Sequence, residues 1–241
     1  MRTITLPALC ALAVGAAAPA SAVTVNLDSI TAQWKNPIFS SGTPNASVDG
    51  NEVSWGLPFE DGPLSSYVFD PRQDLGVVPE NPFLLGTFTH NNFPILLPAI
   101  DSVDLELTVI GSIDGVAFEI DPVFGFDHIE TPNEAVPCGQ GGPNPCADLV
   151  TLENQQDLSE VVTVNGEEFT IVVEGFVDTL TEQPALSYLT TEGQANSAFL
   201  RARIDAPLAP PPPAPIPLPA AGFMVLAGLG GLAALRSARR A

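Results

Sequence analysis

The chain has 241 residues, with 28 acidic side chains against 8 basic ones and a formal charge of −20 at neutral pH. That balance excludes a nucleic-acid binder, which must present cations to phosphates. An apolar content of 45% excludes a largely disordered chain.

At the N-terminus, Arg2 precedes an apolar core from about Ile4 to Ala18, and Ala20-Ser21-Ala22 supplies the small side chains of a cleavage site. Residues 1–22 therefore read as a secretory signal peptide, and Cys10, inside its core, is expected to leave with it. The exported part, 23–215, holds all 28 acidic residues but only Lys35, Arg72, Arg201 and Arg203 of the basic ones, a formal charge of −24. Such charge keeps an extracellular domain soluble, and it also offers carboxylates to divalent cations.

The periodicity of 23–205 is that of strands. Residues 23–30, 103–109 and 169–174 alternate between apolar and polar side chains, so each is expected to be half-buried in a sheet. Asn165-Gly166 and Asp114-Gly115 each lie between two such runs and tolerate the positive φ of a tight hairpin turn. Pro and Gly recur between short runs, and no long amphipathic helical pattern occurs. The expected fold class is all-β, an antiparallel β-sandwich or jelly-roll-like ectodomain, with one C-terminal transmembrane helix in addition.

Candidate chemistry in the ectodomain is sparse. Asp49-Gly50-Asn51-Glu52 and Glu60-Asp61-Gly62 carry oxygen ligands suited to Ca²⁺, but neither has EF-hand spacing and both read first as turns. Only two histidines occur, His90 and His128, and there is no G-x-S-x-G or H-E-x-x-H motif, so no catalytic residue is named and the expectation is a protein that is not an enzyme. Cys138 and Cys146 bracket a loop without apolar content; in an oxidising compartment they are expected to form a disulfide. Two cysteines make only half of a tetrahedral zinc site, and the sequence names no set of metal ligands.

Gly86-Thr87-Phe88-Thr89-His90-Asn91-Asn92-Phe93-Pro94-Ile95, taken with Trp55-Gly56 upstream, resembles the choice-of-anchor K domain, found in bacterial surface proteins in front of several kinds of C-terminal anchor. The resemblance covers about 23–204 and implies a β-rich extracellular module without assigned catalysis. It marks Thr89, His90, Asn91 and Phe93 as the family segment. As residues, they read as a strand entering a turn, with the polar side chains bonded to backbone and Phe93 packed in the core.

Residues 206–215 contain six prolines and form a linker, a semi-rigid polyproline spacer of about 31 Å. The tail, 216–241, opens with Ile216-Pro217-Leu218-Pro219-Ala220, continues as an uncharged Gly/Ala/Leu run to Leu235, and closes on Arg236, Arg239 and Arg240. The 20 uncharged residues from Ile216 to Leu235 would span roughly 30 Å as a helix, enough to cross a bilayer, and the arginines would stay cytoplasmic. This three-part tail resembles the VPLPA-CTERM variant of the PEP-CTERM sorting signals, with Ile216 in place of valine. The resemblance implies a Gram-negative exported protein processed by an exosortase. The expected function is that of a protein passing through the inner membrane to the cell surface or the extracellular matrix, with a non-catalytic structural or adhesive β-domain and extracellular polysaccharide as a candidate partner. The alternative is a carbohydrate- or Ca²⁺-binding module, with a secreted hydrolase a third reading.

Overall fold

The computed structural model describes residues 23–41, 45–58, 61–73, 75–132, 137–142, 145–153 and 159–207, together with 228–229, 232 and 235–239. The chain divides into two compact units, Met1–Pro207 and Leu208–Ala241. Among the described residues the first unit is all-β. Its strands are β1 (Val25–Phe39), β2 (Ser47–Asp49), β3 (Glu52–Trp55), β4 (Leu57–Pro58), β5 (Ser65–Pro71), β6 (Leu75–Val77), β7 (Phe83–Asn92), β8 (Ile95–Leu96), β9 (Ile100–Ile113), β10 (Val116–Ile120), β11 (Val123–Ile129), β12 (Asp148–Leu152), β13 (Ser159–Val164), β14 (Glu167–Val177), β15 (Ser187–Thr190) and β16 (Gln194–Asp205).

Every pairing is antiparallel. One sheet runs β15-β12-β11-β9-β1-β6, and β10 and β11 lie end to end along the same edge of β9. The other runs β13-β14-β16-β7-β5-β3-β2, while β4 and β8 form a separate pair. Both dipeptide turns are hairpins. Asp114 and Gly115 take φ of 49° and 79° between β9 and β10, and Asn165 and Gly166 take 55° and 84° between β13 and β14. Positive φ at both central residues matches the right-handed twist of the flanking strands.

Alternation explains the core. Along β9, Val103, Leu105, Leu107 and Val109 are buried while their neighbours are not, the period-two pattern of a strand with one wet face. In β1 the expected simple alternation is interrupted. Val25 and Leu27 point inward, a register shift follows between Leu27 and Ser29, and inward positions then continue at Ile30 and Trp34. A bulge of this kind moves the next residues to the opposite parity, which is why Ile30 packs inward although the spacing from Leu27 is odd. The two large sheets share one core. Trp34 of β1 meets Tyr67 of β5 with ring centroids 5.7 Å apart, and Phe126 of β11 meets Phe88 of β7 at 5.4 Å.

The expected transmembrane helix falls mostly outside the described residues, as do the expected signal peptide (1–22), the expected sorting motif Ile216 to Ala220, and Arg240. Residues 228–229, 232 and 235–238 are helical. No helix among the described residues is long and apolar enough to cross a membrane.

Candidate functional site

At one end of the shared core the inward rows turn polar. Strand β7 presents Phe88, His90 and Asn92 inward, β11 presents Phe124, Phe126 and His128, and β12 presents Asp148, Val150 and Leu152. Each polar residue thus occupies a position that the alternation reserves for a core side chain. His90, Asn92 and Asp148 have no exposed surface, and His128 retains 6%.

The hydrogen bonds fix these groups closely. The Tyr67 hydroxyl bonds His128 Nδ1. Thr190 Oγ1 lies 2.8 Å from His90 Nδ1 and donates to the Asp148 carbonyl at 3.2 Å. With its hydrogen committed, the Thr190 oxygen accepts from His90 Nδ1–H, which leaves Nε2 of His90 as a bare lone pair. Asp148 Oδ1 accepts from the Thr131 backbone N–H at 2.7 Å and from its hydroxyl at 3.0 Å. Glu192 sits on the turn between β15 and β16, which Asn196 closes by accepting from Thr191 N at 2.8 Å and donating to Thr191 O at 2.8 Å. Gly193 N, next along, donates to Asn92 O at 2.8 Å and ties that turn to β7.

Several buried polar atoms here have no hydrogen-bond partner: Trp55 Nε1, His90 Nε2, Asn92 Oδ1, Asp148 Oδ2 and both carboxylate oxygens of Glu192. Trp55 stacks on His90 with ring centroids 5.6 Å apart, and His90 meets His128 edge-on at 5.3 Å. An unsatisfied buried polar atom costs about 1–3 kcal/mol, so this concentration calls for a physical reason.

The electrostatics point the same way. Burial pushes Glu130 up to about 7 and Glu192 up to about 8, the latter also through the charges of Asp148 and Glu130. Asp148 rises to about 6, by burial first and then by Glu130, against the pull of His128 and the Thr131 hydrogen bonds. Burial also lowers His128 to about 4, partly offset by Asp148 and Asp101, and holds His90 well below the usual imidazole range, with His128 adding to the effect. The carboxyls are crowded and the imidazoles are neutral. The salt bridges that Lys35, Arg201 and Arg203 make are with Glu106, Glu174 and Asp205, not with this cluster.

One ligand atom each from His128, Glu130 and Asp148 lie within 4.8 Å of one another, and His128 Nε2 is 3.4 Å from Glu130 Oε2. A cleft of about 770 Å³ opens beside them, lined by His128, Glu130, Thr131, Ile95, Leu97 and Ile129 among others. Nitrogen and carboxylate donors converging under a solvent-connected cleft are the materials of a cation site.

No known protein family matches this chain, and no curated protein matches it either.

The residues singled out from sequence are placed differently. Of Thr89, His90, Asn91 and Phe93, the segment marked by resemblance, His90 belongs to the polar cluster. Thr89 pairs with Ser197 Oγ at 2.9 Å, and Asn91 donates to Ser66 Oγ at 2.9 Å. Their partners are side chains and not the backbone groups expected. Phe93 is half-buried and outside the core, its carbonyl accepting from Ser65 Oγ at 2.9 Å, which corrects the expectation of a packed ring. Asp49 to Glu52 form the β2–β3 turn, where Asn51 accepts from Trp34 Nε1 at 2.8 Å and donates to Phe69 O at 3.1 Å; Asn51 fastens strands together there. Of the second acidic turn, Glu60 lies outside the described residues. Cys138 and Cys146 are joined by a disulfide that ends two residues before Asp148, so it restrains the start of β12. Arg236 and Arg239 are exposed, the first in a helical segment.

Tyr67, Asn92, Glu130, Asp148 and Glu192 escaped the sequence reading. For Asn92, Glu130 and Asp148 the signal that could have found them is parity. Continuing Phe124, Phe126 by two gives His128, and stepping back from Val150 by two gives Asp148.

Proposed function

We propose that this protein is an exported, surface-destined module, a non-enzymatic β-sandwich head delivered by a C-terminal sorting signal and processed near Pro217-Leu218-Pro219-Ala220 by an exosortase-type enzyme. The observation that carries the reading is the order of parts. The head's last strand, β16, lies between β14 and β7 within its sheet and ends at Asp205. The proline-rich linker, the Pro-Leu-Pro-Ala motif, the apolar run and the arginines then follow in that order. From Phe199 to Ala202 that strand is paired on both edges, so this stretch is closed to further strands.

Two features support it. The Cys138–Cys146 disulfide suits an oxidising compartment outside the cytosol. The net charge suits a solvated head that must not stick to anionic surfaces. The resemblance to the choice-of-anchor K domain fits the same role, with a structural or adhesive task at the surface. The cleft walls carry aliphatic side chains and, among the described residues, no Trp, Tyr or Phe, so the stacking platform that sugar rings favour is missing there.

The test is a motif variant. Pro217, Leu218 and Pro219 are replaced together by Ala in the full chain, and the fate of the protein is followed by cell fractionation. Wild type is expected to leave the inner membrane in a shortened form while the variant accumulates there at full length. Equal retention of both in the inner membrane would overturn the sorting role and favour a plain anchor.

A further inference from the structure

We propose that His128, Glu130 and Asp148 form the binding site of a single first-row divalent metal ion, of the zinc or manganese class, which enters through the adjoining cleft. The three ligand atoms already lie within 4.8 Å of one another. With metal–ligand bonds of about 2.0–2.2 Å, donors on one ion stand roughly 3–4.4 Å apart, so small side-chain adjustments complete the site.

Independent of that clustering, Asp148 has no exposed surface and its Oδ2 has no partner, while Oδ1 is fixed by Thr131. The carboxylate is thereby held in one orientation with a free oxygen left over. Glu192, 7% exposed, adds two more partnerless oxygens nearby, and the charges of Asp148 and Glu130 act on it. A cation held by His128, Glu130 and Asp148 satisfies Asp148 Oδ2, which none of the protein's own salt-bridged cations does.

The donor chemistry selects the ion. An imidazole nitrogen beside two carboxylates disfavours Ca²⁺ and Mg²⁺, which take oxygen sets, and suits the borderline first-row ions. For His128 Nε2 to ligate, Nδ1 must carry the proton, and the Tyr67 hydroxyl is placed to accept it. That is the outer hydrogen bond by which metal-binding histidines are oriented, and Thr131 plays the corresponding part for Asp148. The route in is open, since His128, Glu130 and Thr131 all line the cleft.

This site does not depend on how the chain is sorted. The experiment uses the untagged full-length protein in detergent, stripped with a chelator, and follows thermal unfolding with Zn²⁺, Mn²⁺, Ca²⁺ or Mg²⁺ added separately, with the bound metal counted by elemental analysis. Zinc or manganese is expected to bind at one ion per chain and to raise Tm by roughly 5–10 °C at a hundredfold excess over Kd. Asp148→Asn and Glu130→Gln, which keep size and shape, are expected to melt within about 3 °C of the stripped wild type and to lose that shift. The acidic surface is unchanged in both variants, so nonspecific binding to it would persist. Absence of any shift with zinc and manganese, or a shift surviving in Asp148→Asn, would overturn the site. A larger shift with Ca²⁺ than with either would overturn the assignment of the ion class.

Discussion

Tyr67, His90, His128, Glu130, Asp148 and Glu192 place three carboxyls and two imidazoles where a core would ordinarily continue, and their titration should be visible in stability. In the metal-free protein Glu130 and Glu192 have folded pKa values of about 7 and 8, above the ordinary value near 4.3. A raised carboxyl favours the folded state while protonated, and that contribution is lost as pH rises through the folded value. His90 and His128 are lowered, so they act in the opposite sense, but only below their unfolded value near 6.5. Tyr67 is raised above its ordinary range and stays neutral throughout. Between pH 6.5 and 8.5 the carboxyls therefore act alone, and the Tm of stripped protein should fall by several degrees; a rise across that window would contradict the burial of these groups. Tyr67→Phe removes the hydroxyl from His128 Nδ1 and should cost about 1–3 kcal/mol, measured by denaturant unfolding. None of this grouping was visible as a motif. The residues come from β5, β7, β11 and the residue that follows it, β12 and the turn before β16, and only the folded sheets bring them together.

The strands show what local sequence can and cannot specify. Asp114-Gly115 and Asn165-Gly166 carry their turn geometry in two residues, so both hairpins were legible. The bulge in β1 was not, because it depends on what lies opposite. There Gly111 of β9 faces Leu27, and a Cβ built on it would stand 2.3 Å from Asn26 O and 2.9 Å from Phe118 Cζ. Gly111→Ala should therefore cost about 1–3 kcal/mol, a drop of roughly 3–10 °C in Tm, since backbone and a packed ring must both move. An unchanged Tm would mean the strand yields there. The disulfide belongs to the same scale, closing the loop that leads into β12. Replacing Cys138 and Cys146 together by Ser should cost about 2–3 kcal/mol through the unfolded chain, read as a lower denaturant midpoint.

For the molecule as a whole, composition and period-two patterning were enough to give an all-β, antiparallel head, because a half-buried strand writes its exposure into alternate residues. Sheet order was not legible. β16 pairs with β7 across about a hundred residues, and β12 with β15 across a long excursion through the other sheet; no local signal encodes such partners. The tail is the converse case: its three-part layout is plain in the sequence, but Ile216 to Ala220, proposed here as a sorting motif, lie outside the described residues. We propose that the chain joins two parts, an acidic β-rich head and a C-terminal address that is removed after export. Mass spectrometry of the mature protein's C-terminus tests that most directly. The account predicts a terminus upstream of Arg236, at or near Pro217 to Ala220; an intact Arg240-Ala241 end on the mature surface protein would contradict it.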